Sequence, residues 1–228
     1  MNDSPTAFEI QIALMHHGLY PGPIDGKIGP NSKLAIDGYS ANNGLSGFSE
    51  AEVLAHLVDH RFRHPAWLKR GFAYHGLKEF PGAANNKTIL RWFKTINSGW
   101  FTTDRTPWCA AYVGAVLEEA GLASTDSARA RSYDDYGTPL LGPALGAIVT
   151  FWRGSRHVGK GHVGFVVGAL DNGDPIVLGG NQGDAVTVAP FKKDRVIGYR
   201  WPVSAVVPDS VFCPTLSLRS LGYSVNEA

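Results

Sequence analysis

The sequence predicts an α+β fold, in which helices come first and an antiparallel sheet follows. Up to about residue 121, apolar side chains recur at helical spacing. From Ala147 onwards the pattern changes to short β-rich runs that are separated by Gly, Asp and Pro. Helices and strands that are segregated along the chain in this way are typical of an α+β domain and not of a doubly wound one.

The individual elements follow from this change of pattern. Helices are predicted over 6–17, about 31–42, 49–62, 67–74, 88–96 and 106–121, with a further short helix at 131–136. Ser49 and Glu52 have the spacing of a capping box at the start of the third helix. Strands are predicted in the runs AIVTFW, HVGFVVGAL, PIVLGGN, AVTVAPF and IGYRWP. Beyond Pro208 we expect a mostly irregular tail.

Length and composition limit the classes of function. Of the 228 residues, 44% are hydrophobic and 18% are charged, which is the composition of a globular protein with a core of its own. The net charge of +1 provides no field that favours nucleic acid, so we expect no nucleic-acid partner. No window approaches about 18 uninterrupted apolar residues, so we expect no stable membrane insertion. The start of the sequence lacks a basic region followed by a long apolar run, so we predict no signal peptide.

Residues 7–45 contain two short helices around a loop that is rich in Gly and Pro. The defining residues are Gln11, Leu14, Gly18, Leu19, Gly22, Ile24, Asp25, Gly26, Gly29, Ala35, Ile36, Tyr39, Gly44 and Leu45. In their order they resemble the small three-helix peptidoglycan-binding module of cell-wall hydrolases. The resemblance implies a helical bundle over residues 1–64, here called the N-terminal module, that binds the cell wall, with Tyr20, Asp25 and Tyr39 as candidate contacts. For Asp25 we prefer a second interpretation, a turn residue that hydrogen-bonds its own loop.

The predicted boundary of the N-terminal module lies at His64 and Pro65. The second domain is predicted to cover 65–228, with its core at about 66–202. Two positions of the N-terminal module depart from the family pattern: Ser40 stands where Gln is usual, and Gly38 weakens the second helix by roughly 1 kcal/mol relative to Ala.

Cys109 is the first candidate for chemistry. It lies at the start of the predicted helix in TPWCAAYVGAVLEEAG, where Pro107 suits the entry to a helix. Backbone N–H groups and the helix dipole favour the thiolate over the thiol at such a position. The alternative is a buried small residue, because free cysteines are often buried. One disulfide between Cys109 and Cys213 is possible on count alone, which is weak evidence for it.

His162 and Asn181 are the candidate partners of this thiol. His162 begins an apolar strand between glycines, and of the eight histidines only His157 competes seriously with it. An imidazole can hold or shuttle the proton of a thiol. Asn181 follows a strand that ends in Gly-Gly, and a third residue of this kind orients the imidazole. Composition alone favours a simple turn residue at position 181.

Trp108, Tyr112 and Gln182 are candidate substrate-binding residues. They are sequence neighbours of the candidate catalytic residues, so they are placed to line the same cleft. The two aromatic residues fit a place in the core equally well.

Together these residues resemble one group of enzymes. The motifs are Trp108-Cys109, Gly161-His162-Val163-Gly164 and Gly179-Gly180-Asn181-Gln182, supported by Gly76-Leu77-Lys78-Glu79, Pro81-Gly82, Ala128-Arg129, Gly146-Ala147-Ile148-Val149 and Tyr199-Arg200-Trp201-Pro202. They are similar to the CHAP and NlpC-type cysteine peptidases and amidases of bacterial wall turnover, particularly phage lysins. The resemblance implies a papain-like domain whose helices pack on an antiparallel sheet. Some members need calcium and have an acidic loop before the cysteine; here only Thr103 and Asp104 are available, so we predict no metal and no cofactor.

The resemblance implies an endolysin that binds peptidoglycan and cuts an amide bond in its peptide part through Cys109, His162 and Asn181. Such a protein would be made in the host cytoplasm and act as a monomer on the cell wall or periplasmic peptidoglycan. Two alternatives stay open. One is a secreted antibacterial amidase effector with the same site, and the other is a non-catalytic wall-binding or virion structural protein.

Overall fold

The computed structural model of the protein describes residues 4–19, 22–82, 84–208 and 211–217. Within these ranges the predicted order of helices followed by strands is confirmed. The α-helices are α1 (Ala7–His16), α2 (Pro30–Asn42), α3 (Glu50–Leu57), α4 (Ala66–Phe72), α5 (Lys87–Thr95) and α6 (Cys109–Glu119). The strands are β1 (Thr138–Leu140), β2 (Ile148–Trp152), β3 (Gly161–Ala169), β4 (Pro175–Gly179), β5 (Thr187–Pro190) and β6 (Val196–Trp201). None of the helices in the described ranges is long and apolar enough to cross a bilayer.

Local sequence signals account for the helix ends. Thr6 and Glu9 form a capping box at the start of α1, and Ser49 and Glu52 form the predicted one at α3. The third predicted helix is shorter than expected, because α3 ends at Leu57 and a 3₁₀ turn, His60–Phe62, follows it. The Asp59 side chain accepts a hydrogen bond from the Arg61 backbone N–H and so caps the start of this 3₁₀ turn.

The six strands form one antiparallel sheet in the order β1-β6-β2-β3-β4-β5. β3 lies inside this sheet, and its residues from His162 to Gly168 are all buried. Helix α6 packs against β3, and every residue from Cys109 to Leu117 is buried. Both elements are therefore buried: β3 is covered on both faces, and α6 is enclosed on nearly all sides. Candidate catalytic residue Cys109 lies on α6, and His162 lies on β3.

Residues 211–217, the described part of the chain after Pro208, are mostly irregular, as predicted, but they make one contact with the sheet. Within 211–217, the Leu216 N–H donates to the Ala169 carbonyl and the Ala169 N–H donates to the Pro214 carbonyl, which adds a short parallel bridge at the end of β3. Leu216 is buried there. Cys109 and Cys213 are both free thiols, so the disulfide that the cysteine count allowed is absent.

Two of the predicted wall contacts serve the internal structure of the N-terminal module. The Asp25 carboxylate accepts hydrogen bonds from Gln11 Nε2 at 2.8 Å and from the Lys27 N–H at 2.9 Å, which supports the turn interpretation. Tyr39 is 3% exposed, and its hydroxyl lies 3.0 Å from His56 Nδ1. The structure therefore contradicts a surface role for Tyr39, because its ring fills the core. Tyr20 lies outside the described residues.

The N-terminal module packs directly against the rest of the chain. The Phe8 ring of α1 stacks on Phe72 of α4 with centroids 4.2 Å apart, and the His64 ring stacks on Phe72 from another side at 5.1 Å. Glu9 is fully buried at this junction, where its carboxylate accepts from the Thr6 N–H and, at 2.7 Å, from the His64 N–H. One hydrophobic core thus runs across the predicted boundary between His64 and Pro65.

Glu9→Ala is expected to lower the free energy of unfolding by about 2–4 kcal/mol, because two N–H groups lose a buried acceptor. The cations of Arg63 and Lys69, 3.8 and 3.9 Å from the carboxylate, also lose their counter-charge. Urea denaturation followed by tryptophan fluorescence measures the change. Asp37→Ala, which removes an exposed carboxylate from α2, is the control, and an equal effect of the two substitutions would contradict the role given to Glu9.

The stability of the protein is expected to rise with pH between about 4 and 6.5. Burial, with a contribution from Lys69, lowers the pKa of His64 to about 3, and neither ring nitrogen has a hydrogen-bond partner. Because the unfolded chain takes up a proton near pH 6.5 and the folded imidazole does not, acid favours unfolding in this window. His64→Phe keeps the ring stack and should flatten the dependence, whereas the same change at exposed His157 should not. Equal pH slopes for wild type and His64→Phe in urea denaturation would refute this assignment.

Candidate active site

Cys109 is the first residue of α6, as the sequence predicted. Trp108 occupies the N-cap position, and its side chain does not cap the first N–H groups of the helix, so these groups are available to other partners. The backbone N–H groups of Val163 on β3 and of Ala110 in the first turn act on the sulfur and favour the thiolate. The contact with Val163 places the sulfur next to the residue that follows His162.

Trp108 and Tyr112 lie in the protein interior and do not line the cleft, so their prediction as substrate-binding residues is wrong. Both are 0% exposed. The Trp108 Nε1–H donates to Glu79 Oε1 at 2.6 Å, and both rings pack around Trp92 of α5. The first turn of α6 is enclosed between α5 and the sheet, so these two aromatic side chains belong to the core.

His162 is fixed by its neighbours on the sheet. It pairs in register with Phe151 on β2, and its ring stacks on Phe191 with centroids 5.0 Å apart and an angle of 8° between the planes. The glycines beside it are required for space: a Cβ on Gly161 would lie 2.4 Å from the Phe151 carbonyl oxygen, and one on Gly164 would lie 2.8 Å from the Leu178 carbonyl oxygen. The glycines of this motif are therefore needed because the neighbouring strands pack closely around the imidazole.

The residue that holds the imidazole is Gln182. His162 Nε2 lies 3.0 Å from Gln182 Oε1, and Gln182 Nε2 donates to the Thr187 carbonyl at 2.8 Å and to the Thr187 hydroxyl at 3.1 Å. Because a carbonyl can only accept, the amide nitrogen must face Thr187 and the oxygen must face the imidazole. His162 Nε2 then carries the proton, and Nδ1 is left as the basic nitrogen.

Asn181 is the turn residue that composition alone favoured, and the structure corrects its predicted position against His162. Its φ of 59° is a left-handed conformation, which Asn tolerates better than most residues. This conformation turns the chain so that the next residue, Gln182, reaches the imidazole. Gln182 was predicted to bind substrate, and the sequence contained no signal to distinguish the two adjacent amide side chains.

The Gly-Gly pair before Asn181 makes this arrangement possible. A Cβ on Gly179 would lie 2.2 Å from Gln182 Oε1 and 3.1 Å from His162 Nε2. A Cβ on Gly180 would lie 2.5 Å from the Trp108 ring and 2.7 Å from the Tyr112 Cβ. The first glycine gives space to the hydrogen bond on the imidazole, and the second gives space to the packing beneath Cys109.

Burial keeps the thiol and the imidazole neutral in the resting protein. Burial raises the pKa of the Cys109 thiol, against the opposing effect of the surrounding N–H groups. Burial also lowers the pKa of His162 to about 4, and the bond to Gln182 only partly offsets it. The prediction that the helix start yields a thiolate is therefore corrected, because desolvation outweighs the helix N-terminus here.

Cys109, which is 6% exposed, lines a cleft of ≈ 920 Å³. Cys109, Arg129, Arg153, Lys160 and Gly161 are among the residues that line it. Neither His157 nor His162 is among the residues that line the cleft. His157, the competing histidine, lies in the exposed loop between β2 and β3, whereas His162 is buried on β3 and held by Gln182. Among the residues that the structure describes, no group of three or more His, Cys, Asp or Glu side chains is arranged to hold a metal ion.

Residues 101–181 match the sequence profile of the CHAP domain. The match supports a CHAP peptidase/amidase domain. It spans Cys109 and His162 and covers about a third of the chain, ending at the residue before Gln182. No curated protein matches the chain. The CHAP domain implies a hydrolase that acts on peptidoglycan as a cysteine peptidase or amidase, and its papain-like architecture agrees with the helices and the antiparallel sheet described above.

Gln182→Ala is expected to lower kcat/KM for the hydrolysis that the CHAP match implies by about 10- to 100-fold, since the imidazole of His162 loses the group that orients it. Gln182→Glu should restore much of the rate and move the acid limb of the pH profile upwards from about 4, because a carboxylate stabilises the imidazolium. Asn181→Gly keeps the left-handed turn and is the matched control. A large loss with Asn181→Gly and none with Gln182→Ala would reverse the assignment.

Proposed function

We propose that the protein is an endolysin, which binds bacterial peptidoglycan and hydrolyses an amide bond in its peptide part. The proposal rests chiefly on one arrangement: Cys109 lines a cleft and its sulfur meets the N–H of Val163, and the preceding residue, His162, has its Nε2 held by Gln182. A nucleophile, a base and a group that orients the base are the three parts that acyl transfer to water requires.

The proposed reaction begins with a neutral pair. As the sulfur attacks the amide carbonyl, the thiol proton passes to His162 Nδ1, and the N–H groups around the sulfur favour the negative charge on it. The imidazolium then protonates the leaving amine, which releases one product and leaves an acyl group on the sulfur as a thioester. Neutral imidazole removes a proton from water, the hydroxyl adds to the thioester, and the thiolate leaves and takes that proton back.

Backbone groups at the start of α6 supply the expected oxyanion site. The Cys109 N–H lies at the helix N-terminus, where it has no partner within the helix. Such N–H groups stabilise the oxyanion of a tetrahedral intermediate by several kcal/mol, on the order of 3 kcal/mol for each donor. Helix α6 thus provides the proposed oxyanion donor as well as the proposed nucleophile.

The N-terminal module is proposed to hold the enzyme on its substrate. Its two-helix and loop pattern supports this role, and its close packing against α4 means that wall contact would also position the cleft. With Tyr39 in the core and Asp25 in a turn, other surface residues of the module must make the contacts. We propose that the protein is made in the host cytoplasm and acts as a monomer on the wall or on periplasmic peptidoglycan.

Cys109→Ala is expected to abolish the release of soluble fragments from purified sacculi, by at least about 10³-fold, because the nucleophile is lost. Sedimentation of the variant with the sacculi should be unchanged, since the substitution lies in the cleft and not in the N-terminal module. Cys213→Ala is the matched control and should keep full activity. Mass spectrometry of the fragments then identifies the bond that is cut. Full activity of Cys109→Ala would refute the assignment, and binding without fragment release by the wild type would favour a non-catalytic wall protein.

A further inference from the structure

The cleft at Cys109 has a pronounced charge, although the whole chain has almost none. Three cationic side chains, those of Arg129, Arg153 and Lys160, line it, and among the described residues that line it there is no Asp or Glu. The net charge of the chain is only +1. The cleft therefore has a local excess of positive charge that the chain as a whole lacks.

Two separate segments provide this charge. The loop between β2 and β3, residues 153–160, contains Arg153, Arg156 and Lys160 and no acidic residue. Facing it is the segment that includes Arg129. The two are joined, because the Arg131 Nη1 donates to the Arg156 carbonyl at 3.3 Å and the Arg131 side chain packs over Gly161. These contacts link the two sides of the cleft.

Arg131 is set apart from the other cations by an acidic partner. Its Nε forms an ion pair with Asp134 in the same turn, which neutralises it locally. Arg129 and Lys160 lie at the exposed edge of the cleft, and the charge of Arg153 acts on both Cys109 and His162. A concave site lined by one sign of charge concentrates field lines and raises the local concentration of ligands of the opposite sign.

We propose that this cleft contains a carboxylate-binding subsite, in which Arg129 and Lys160 recognise a peptide with a free carboxylate close to the amide to be cut. The inference rests on the proposed hydrolysis of a peptidoglycan peptide and narrows its substrate class. A carboxylate suits Arg129 in particular, since the planar guanidinium offers parallel N–H donors that match its two oxygens. A peptide whose carboxylates are converted to carboxamides loses this attraction and keeps its shape.

The test uses the full chain with Cys109→Ala, so that binding is measured without turnover. The probe is a set of soluble peptide-bearing peptidoglycan fragments, either with free carboxylates or after conversion of the carboxylates to carboxamides. At low ionic strength, conversion should weaken binding about three- to tenfold, and this difference should shrink in about 0.5 M salt. Arg129→Gln with Lys160→Gln should weaken binding of the free-carboxylate fragments to the same degree and leave binding of the converted fragments unchanged.

The matched control is Lys87→Gln with Lys94→Gln, which removes the same charge from exposed positions of α5 that lie outside both the cleft and the N-terminal module. It should leave both affinities unchanged. Equal affinity for the two fragment sets, or an equal loss with the control pair, would overturn the proposal. Weaker binding after removal of phosphate-bearing polymers from the fragments, with no effect of carboxylate conversion, would overturn it in favour of a phosphate ligand. Wild-type protein that shows the carboxylate preference but releases no product would instead refute the proposed hydrolysis.

Discussion

The packing of the first turn of α6 against β3 is the constraint on which the site depends. It brings the sulfur of Cys109 to the backbone N–H of Val163 and therefore beside His162. Neither residue lies on a loop: Cys109 begins a helix that is buried along most of its length, and His162 belongs to a strand inside the sheet. The relative position of the two candidate catalytic residues is thus set by the same contacts that form the core.

The same packing explains why the pair is neutral at rest. A thiol at a helix N-terminus is normally acidified, but the first turn of α6 is enclosed so fully that the loss of hydration raises the thiol pKa instead. The same loss of hydration lowers the pKa of the His162 imidazole. Charge separation then has to accompany the attack on the carbonyl, when the N–H groups around the sulfur gain a negative partner. Gln182 suits this arrangement, since an uncharged amide orients the imidazole without forcing it into the protonated state.

The sequence was sufficient where the signal is local. The apolar spacing after Trp108 predicted the helix at Cys109, and the glycine-flanked run predicted the strand at His162. It was insufficient where two distant segments meet. The choice between Asn181 and Gln182 depends on the left-handed turn at Asn181 and on acceptors in β5, and the burial of Trp108 and Tyr112 depends on α5. Periodicity shows that a residue is apolar or aromatic, but it does not show whether the opposing surface is solvent or another helix.

The fold also joins the N-terminal module to the domain of the candidate active site more tightly than the idea of two separate modules suggests. The Glu9 carboxylate accepts the His64 N–H just before α4 begins, and Phe8 stacks on Phe72 within α4. Helix α4 packs in turn against α6, where the Tyr112 hydroxyl lies close to Gly71. A chain of packed contacts therefore runs from the first helix to the helix that bears the nucleophile. Any surface of the N-terminal module that meets the wall fixes the direction in which the cationic cleft faces, and this limits the peptides that can enter it.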